Sequence, residues 1–434
     1  MANVTVDNAV HASFGLQMHR SLVWTSSLVG YSFFLGALAA NVYYRKTTDG
    51  GATWGNRVTV YTGTANIAAI WYDQWTPGDD GTKIHVAWVA STGTTIRYVN
   101  LETATDTLGT EEQVAAFTAV GGAPIVIGRF PVSIVKARGG NLYIIFATSS
   151  SAAGNLGFYR STDAGDNWTS RSDAALEQSG GFYQVDQCLM VPGSEADTND
   201  IWCLYWDVSA NEISVKVHDD SANTWAETVV ISSVTDAASV GDAQKQWSAA
   251  QRPSDNHVFL AVANDVFAAG TDIKFVEMNG TGTITTQTDV ITDSAEVSCP
   301  EVLIDDVNGR IYVFYGDNNL TNPDNIHYKI TTDSGATWGS EQTYGTAAAA
   351  GFFAAMSGQV VRSGQRGRVG VTWFDNTNDD ILFNSDNSIA IGPSGGKGSG
   401  GKGKGGQTPG PGEPPKKPLR TSLSKSWKWD RGWR

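Results

Sequence analysis

Three near-identical octapeptides constrain this chain more than any other feature. They read Thr47-Thr48-Asp49-Gly50-Gly51-Ala52-Thr53-Trp54, Ser161-Thr162-Asp163-Ala164-Gly165-Asp166-Asn167-Trp168 and Thr331-Thr332-Asp333-Ser334-Gly335-Ala336-Thr337-Trp338. Each follows a short aromatic run: Val42-Tyr43-Tyr44-Arg45, Gly157-Phe158-Tyr159-Arg160 and Ile326-His327-Tyr328-Lys329. The shared pattern is Ser/Thr-x-Asp-x-Gly-x-Thr/Asn-Trp. An Asp in such a pattern can accept backbone N–H groups about two residues on and close a turn. Gly supplies a backbone with φ > 0. The Trp opens the next strand and can fold back over its own hairpin, burying a large apolar surface. Asp49, Gly51, Trp54, Asp163, Gly165, Trp168, Asp333, Gly335 and Trp338 are therefore expected to be structural.

A fourth, weaker copy runs from His218 to Trp225 and places Asp220 five residues before Trp225. The four aspartates are separated by 114, 57 and 113 residues, close to two, one and two units of 57. Two units lack a recognisable copy, near Asp106 and Glu277. A fixed period of this kind marks a repeat architecture. Seven hairpins repeat with it: 31–34 with 42–45, 84–89 with 95–99, 142–147 with 156–160, 201–206 with 212–217, 258–262 with 272–276, 311–315 with 325–330, and 369–374 with 381–384. Their β-branched and aromatic alternation reads as strand. A further apolar run precedes each hairpin, for example Ser133-Ile134-Val135 or Val302-Leu303-Ile304, and the segment after each octapeptide adds a fourth strand. Four antiparallel strands repeated radially make a β-propeller.

The expected fold is all-β: a single β-propeller of seven four-stranded blades, with a six-bladed ring plus a stray hairpin as the alternative. The seventh unit lacks its fourth strand, and Asn3-Val4-Thr5-Val6 is predicted to supply it and close the ring. This assigns residues 1–392 to the propeller, 393–418 to a Gly/Lys/Pro-rich flexible linker, and 419–434 to a Trp-rich basic peptide.

The octapeptides resemble the Asp-box (BNR) repeat of sialidases and related β-propellers. The resemblance spans most of the propeller and rests on the octapeptide and strand patterns. It implies, for a sialidase, a glycoside hydrolase with a Tyr nucleophile, an acid/base Asp, an Arg-Ile-Pro motif on an early inner strand, and three arginines that clamp the sugar carboxylate. Guanidinium forks suit that task because they bind carboxylates bidentately. The nearest echo here is Gly128-Arg129-Phe130-Pro131, which has Phe at the middle position and lies after the first octapeptide. A proline opening an inner strand, as Pro300 does by pattern, accounts for it equally well.

Topology places Arg45, Arg97, Arg138, Arg160, Arg252, Arg310, Arg362, Arg366 and Arg368 towards the octapeptide face. Arg20 and Arg129 are expected at the opposite mouth, where His19, Asp186, Trp247 and Glu301 begin inner strands and Phe182 and Tyr183 lie in a nearby loop. Aromatic faces with polar neighbours suit sugars. No catalytic residue is assigned, since two arginines do not make the clamp. No cofactor is expected. The oxygen-rich loops 317–325 and 375–380 could hold Ca²⁺, though solvated turns explain them as well.

The chain carries 30 Lys/Arg against 44 Asp/Glu, for a net charge of −14. From Pro393 onward the count is ten basic to two acidic, so the remainder carries −22. An acidic propeller does not suit nonspecific nucleic-acid binding. The N-terminus does not read as a secretory signal, and the apolar stretch 28–40 is too short to span a bilayer. Cys188, Cys203 and Cys299 lack metal spacing. Cys188 and Cys203 are expected on adjacent strands of one blade as buried thiols. In the tail, Trp427, Trp429, Arg431 and Trp433 are residue types enriched at binding hot spots, which suggests a docking tether for a protein partner. The functional expectation is a non-catalytic recognition or structural propeller binding a glycan or protein. It would suit a virion or phage-tail component, or an extracellular surface. The alternative is an exo-sialidase-type glycoside hydrolase.

Overall fold

The structure is a computed structural model. It describes residues 3–8, 10, 18, 20–36, 41–90, 95–116, 132–148, 155–171, 185–195, 198–207, 212–232, 247–263, 273–291, 297–306, 308–317, 325–346, 353–360, 368–375, 380–384 and 389–390. These form seven antiparallel sheets, each built around four strands, which in six of them follow in sequence order from the inner to the outer edge. Blade 1 is Leu22–Trp24, Gly30–Leu35, Val42–Thr47 and Val58–Tyr61. Blade 2 is Ala65–Tyr72, Lys83–Ala90, Thr95–Glu102 and Glu112–Ala116. Blade 3 is Val132–Lys136, Leu142–Thr148, Asn155–Ser161 and Thr169–Ser170. Blade 4 is Val185–Pro192, Ile201–Asp207, Glu212–Asp219 and Thr224–Ser232. Blade 5 is Trp247–Gln251, Val258–Ala263, Ile273–Met278 and Ile284–Ile291. Blade 6 is Val297–Asp305, Arg310–Asp317, Asn325–Thr331 and Gln342–Thr346.

Blade 7 takes Phe353–Val360, Arg368–Asp375 and Asp380–Phe383 from one end of the sequence and Val4–Asp7 from the other. The register aligns Val4 with Phe383 and Thr5 with Leu382. Seven blades are therefore present, and the six-bladed alternative falls away. Two short strands add to this frame: Thr107–Leu108 beside the third strand of blade 2, and Ile389–Ala390 beside the second strand of blade 7. Inner strands contact their neighbours around the ring, and the bridge between Met18 and Ala68 joins blade 1 to blade 2. The chain divides into residues 1–394 and 395–434. The second unit, with Trp427, Trp429, Arg431 and Trp433, lies outside the described residues.

Strand composition follows depth in the blade. Second strands are sandwiched between neighbouring blades and read as continuous apolar runs; Leu142, Tyr143, Ile144, Ile145 and Phe146 are all buried. Outer strands have a wet side, and Ile284–Ile291 alternates between exposed and half-buried residues before ending buried.

The octapeptide hairpins share one hydrogen-bond scheme. Asp49 Oδ1 accepts from the Thr53 N–H at 2.9 Å and Oδ2 accepts from the Thr53 hydroxyl at 2.5 Å. The Thr47 hydroxyl donates to Asp49 at 2.8 Å and accepts from the Gly51 N–H at 2.9 Å. Asp163 with Asn167, and Asp333 with Thr337, repeat the first 2.9 Å bond. The carboxylate thus closes the turn from four residues on, not two. The intervening Gly N–H is taken instead by the Ser/Thr hydroxyl at the start of the motif. These bonds favour the charged form: burial pushes Asp49 up, but Thr53 and Thr47 outweigh it and bring it to about 2, and Thr337 and Thr331 bring Asp333 to about 2.

The tryptophan does more than cover its own hairpin. Trp54 of blade 1 packs edge-on at 5.9 Å against Phe383, on the third strand of blade 7. Trp168 of blade 3 meets Tyr98 of blade 2 at 5.2 Å, Trp225 of blade 4 meets Phe158 of blade 3 at 5.0 Å, and Trp338 of blade 6 meets Phe275 of blade 5 at 5.0 Å. In every case the partner is a third-strand aromatic of the preceding blade. Trp168 also donates to its own hairpin, to the Gly165 carbonyl at 3.0 Å. The glycines press against the same rings: a Cβ would lie 2.1 Å from Phe383 at Gly51, 2.1 Å from Tyr98 at Gly165 and 2.2 Å from Phe275 at Gly335.

The weaker fourth copy corrects the sequence reading. Asp219, not Asp220, closes that turn, accepting from the Ala222 N–H at 3.0 Å. Asp220 instead accepts from Arg160 of blade 3 at 2.8 Å and from Arg171 at 3.2 Å. The turn is one step tighter, with Asp219 facing Thr224 in register, which swings Asp220 out to the neighbour. Other seams use charge as well. Asp7, wholly buried on the N-terminal strand, pairs with Arg45 at 2.6 Å and with Arg57, both of blade 1. Asp106 of blade 2 accepts from Tyr31 and Lys46 of blade 1, each at 2.6 Å. Cys188 and Cys203 are buried thiols on adjacent strands of blade 4, with no disulfide between them.

Two glycines with similar backbones separate these effects. Gly335 has φ 90° and no room for a Cβ, whereas Gly282 has φ 80° and nothing within 4 Å. Gly282→Ala should cost about 1–2 kcal/mol for the left-handed conformation alone. Gly335→Ala should cost about 2–5 kcal/mol, because overpacking adds to the same term. Urea unfolding of both variants measures the difference; equal losses would refute the contact with Phe275.

Candidate functional site

Two places gather chemically capable side chains. The first is the axial channel. Arg20 lies just before the inner strand of blade 1, and the parallel bridge between Met18 and Ala68 sets it level with Ile70. That is two residues short of Tyr72, where the blade 2 strand ends at the octapeptide face. Arg20 thus lies beside the inner strand of blade 2. Its guanidinium lies 5.1 Å from the Trp71 ring and 5.2 Å from the Trp75 ring. It donates across the axis to the Ala249 carbonyl of blade 5 at 3.0 Å. Burial pulls its pKa down to about 10, while Glu301 acts in the opposite direction. Among the described residues it forms no ion pair.

The 3-10 turn Asp73–Trp75 holds this arrangement. Trp71 donates its Nε1–H to the Thr76 hydroxyl at 3.0 Å, and that hydroxyl donates to the Lys136 carbonyl of blade 3 at 2.6 Å. Trp71 and Trp75 meet edge-on at 5.6 Å. Glu301 follows an irregularity in the blade 6 strand that contains Pro300, and it is buried. Trp247 is wholly buried among apolar side chains, so it offers no face to a ligand. Asp186 stands on the inner strand of blade 4 opposite Trp206. His19, Arg129, Phe182 and Tyr183 lie outside the described residues, as do most of loops 317–325 and 375–380. Among the described residues no group of three or more His, Cys, Asp or Glu is placed to hold a metal ion.

The second place lies on the octapeptide face, between blades 2 and 3. A cleft of about 250 Å³ is lined by Asp73, Thr82, Lys83, His85, Glu102 and Lys136, among others. Asp73 is buried and accepts three donors: the Lys83 N–H at 2.9 Å, His85 Nε2 at 2.9 Å and Lys136 Nζ at 2.7 Å. The other imidazole nitrogen, Nδ1, lies 2.7 Å from the Tyr98 hydroxyl. That hydroxyl is also 3.2 Å from the Ala164 carbonyl in the blade 3 hairpin. Burial alone would raise Asp73, but His85 and Lys136 hold it well below the usual carboxylate range. Burial lowers His85 against the pull of Asp73. A neutral His85 must then carry its proton on Nε2, facing the carboxylate, and accept from Tyr98 at Nδ1.

Sequence reading missed this cluster because its members lie in four separate segments. Their only local signal is polar residues, His85 and Lys136, at positions flanked by strand apolar residues.

No protein-family model matches the chain, and no curated protein matches it. Solved structures do. An ulvan lyase, described as a new family of polysaccharide lyase, aligns with a TM-score of 0.55 at 11% identity, over 88% of this chain and 94% of the lyase. The ulvan lyase bound to -[GlcA(1-4)Rha3S]- aligns with a TM-score of 0.53 at 12% identity, with the same coverage. A Trypanosoma rangeli sialidase in complex with the inhibitor DANA aligns with a TM-score of 0.45 at 12% identity, over 71% of this chain and 53% of the sialidase. At these identities the likeness is one of fold.

The buried histidines make stability depend on pH. Burial depresses both His85 and His218 from the ordinary 6.5, so the unfolded chain binds more protons below that pH. Their contribution is complete above pH 6.5 and is lost as pH falls from there through the lower folded-state values. Urea midpoints measured across this range should fall with acidity, and less steeply in His85→Gln. An unchanged slope in that variant would show that His85 takes no part.

Proposed function

We propose that this propeller recognises an acidic glycan through its axial channel, with Arg20 as the anion receptor. One observation carries the reading. A half-buried guanidinium, stacked on two indoles, makes a single hydrogen bond to protein and no ion pair among the described residues. Removing a cation from water is unfavourable, and Glu301 offsets that burial only in part. A sugar carboxylate or sulfate would supply the rest of the counter-charge and accept the remaining N–H groups of the guanidinium fork. Perturbed groups in concave sites are where ligands are to be sought. The ulvan lyase glycan, -[GlcA(1-4)Rha3S]-, carries both a carboxylate and a sulfate, which supports this choice of ligand class.

The reading is recognition, and the test separates it from catalysis. Isothermal titration with ulvan should show binding, and Arg20→Ala should weaken it roughly tenfold to a hundredfold, the worth of hydrogen bonds to a charged group. Arg20→Lys should retain part of the affinity. Equal binding by a folded Arg20→Ala variant would overturn the receptor role. Release of an unsaturated uronate would make the protein a lyase. Turnover of a fluorogenic sialic-acid glycoside would make it a glycoside hydrolase instead.

In the same reading, the basic peptide 419–434, with Trp427, Trp429, Arg431 and Trp433, tethers the propeller to a larger assembly such as a virion or phage tail. Deleting it should abolish co-sedimentation with that assembly and leave glycan affinity unchanged. Loss of both together would assign the peptide to the glycan site.

A further inference from the structure

The Tyr98 hydroxyl has two acceptors, one on each side of the seam between blades 2 and 3. His85 Nδ1 lies at 2.7 Å within its own blade, and the Ala164 carbonyl lies at 3.2 Å in the next. It carries one proton and can satisfy one of them at a time. Which one it satisfies depends on whether Nδ1 is an acceptor or a donor.

We propose that Tyr98, His85, Asp73 and Lys136 form a proton-operated latch between blades 2 and 3. With His85 neutral, Nε2–H donates to Asp73 and the Tyr98 O–H donates to Nδ1. A proton taken from solvent onto Nδ1 turns that nitrogen into a donor. The Tyr98 oxygen then accepts from Nδ1–H, and its own proton turns to the Ala164 carbonyl. Tyr98 remains a neutral phenol throughout, and the His85 N–H groups and the Tyr98 O–H keep a partner in both states.

The surroundings permit both states. Asp73, from the turn after the blade 2 inner strand, stabilises the imidazolium. Lys83 from the same strand as His85, and Lys136 from the blade 3 inner strand, oppose it. Lys136 is itself shared between Asp73 and Asp79, each at 2.7 Å, which blunts its repulsion. Asp166 of the blade 3 hairpin acts on Tyr98, and Asn100 lies beside the phenol. Glu102 shares the cleft lining with His85 and is within hydrogen-bond reach of Thr82. The cleft reaches Asp73, His85 and Lys136 and so gives solvent protons a route to a buried ring.

The acceptor at the far end is well placed to report the change. Ala164 has φ 59° and Gly165 has φ 104°, and Gly165 leaves no room for a Cβ against the Tyr98 ring. The latch therefore acts on the hairpin that seats blade 3 against blade 2.

Nuclear magnetic resonance tests this on the full chain. Ring-¹⁵N histidine labelling should show His85 as the Nε2–H tautomer near neutral pH. Pairing ¹³C-carbonyl alanine with ¹⁵N glycine selects the four Ala-Gly steps in the sequence, of which Ala164-Gly165 is one. Its signal should titrate with the same midpoint as His85. In Tyr98→Phe that coupling should vanish, and the His85 midpoint should fall, because the imidazolium loses a charge-assisted acceptor. A purely packing role for Tyr98 would move neither. Should Tyr98→Phe fail to fold, His85→Gln gives the same information: the Ala164-Gly165 titration should disappear. An Nδ1–H tautomer, a His85 that stays neutral down to acid unfolding, or an Ala164 signal that ignores His85 in the unaltered chain would each overturn the proposal.

Discussion

The contact between a hairpin glycine and an aromatic ring of the preceding blade governs how this ring is assembled. At Gly51, Gly165 and Gly335 the backbone approaches Phe383, Tyr98 and Phe275 so closely that a methyl group cannot be placed between them. The hairpin is held in that shape by an aspartate and a hydroxyl that consume its inward N–H groups. The following tryptophan then packs against the same ring. A blade of this kind has little means of burying its second strand alone, since that strand is apolar on both faces. The hairpin supplies the docking surface, and its Trp covers the join.

Polar ties reinforce the seams, both with and without the motif. Blade 2 reaches blade 1 through Asp106, blade 4 reaches blade 3 through Asp220, and the N-terminal strand reaches blade 1 through Asp7 with its two arginines. Ser254 of blade 5 and Asp306 of blade 6 form a similar link, with the hydroxyl donating at 2.6 Å. Buried serines on the inner strands add another layer. The Ser133 hydroxyl accepts from the Met190 N–H at 2.9 Å, and the Ser248 hydroxyl accepts from the Val302 N–H at 2.7 Å. The octapeptide face is thus largely engaged in holding the ring. A ring tied together at this face can carry its ligand chemistry on the axis, where the inner strands converge and Arg20 crosses from one side of the channel to the other.

Glu301 acts on Arg20 from another blade, and Asp73 stands in the turn that follows the inner strand of blade 2. Both centres depend on the segment Trp71–Thr76, which stacks on the guanidinium on one side and supplies the carboxylate on the other. Any movement of that segment would be felt at the channel and at the seam between blades 2 and 3 together.

The sequence by itself determined the hairpins and their period, because each rests on contacts within a few residues or on simple repetition, and it favoured the seven blades that the structure shows. It also placed the N-terminal strand in the gap left by the last unit. The partner of each hairpin was partly legible: an aromatic stands three residues ahead of the octapeptide in Tyr44, Phe158 and Tyr328, and equivalent third-strand rings recur at Tyr98, Phe275 and Phe383. That these rings serve the next blade and not their own was decided only by the tertiary structure, since blade stacking brings together residues more than fifty positions apart. The same holds for Asp220, which local pattern gave to its own turn and the structure gives to Arg160 and Arg171. It holds for the partners of Arg20, which come from two other blades. It holds most of all for Tyr98, His85, Asp73 and Lys136, whose chemistry exists only because two neighbouring blades close around it.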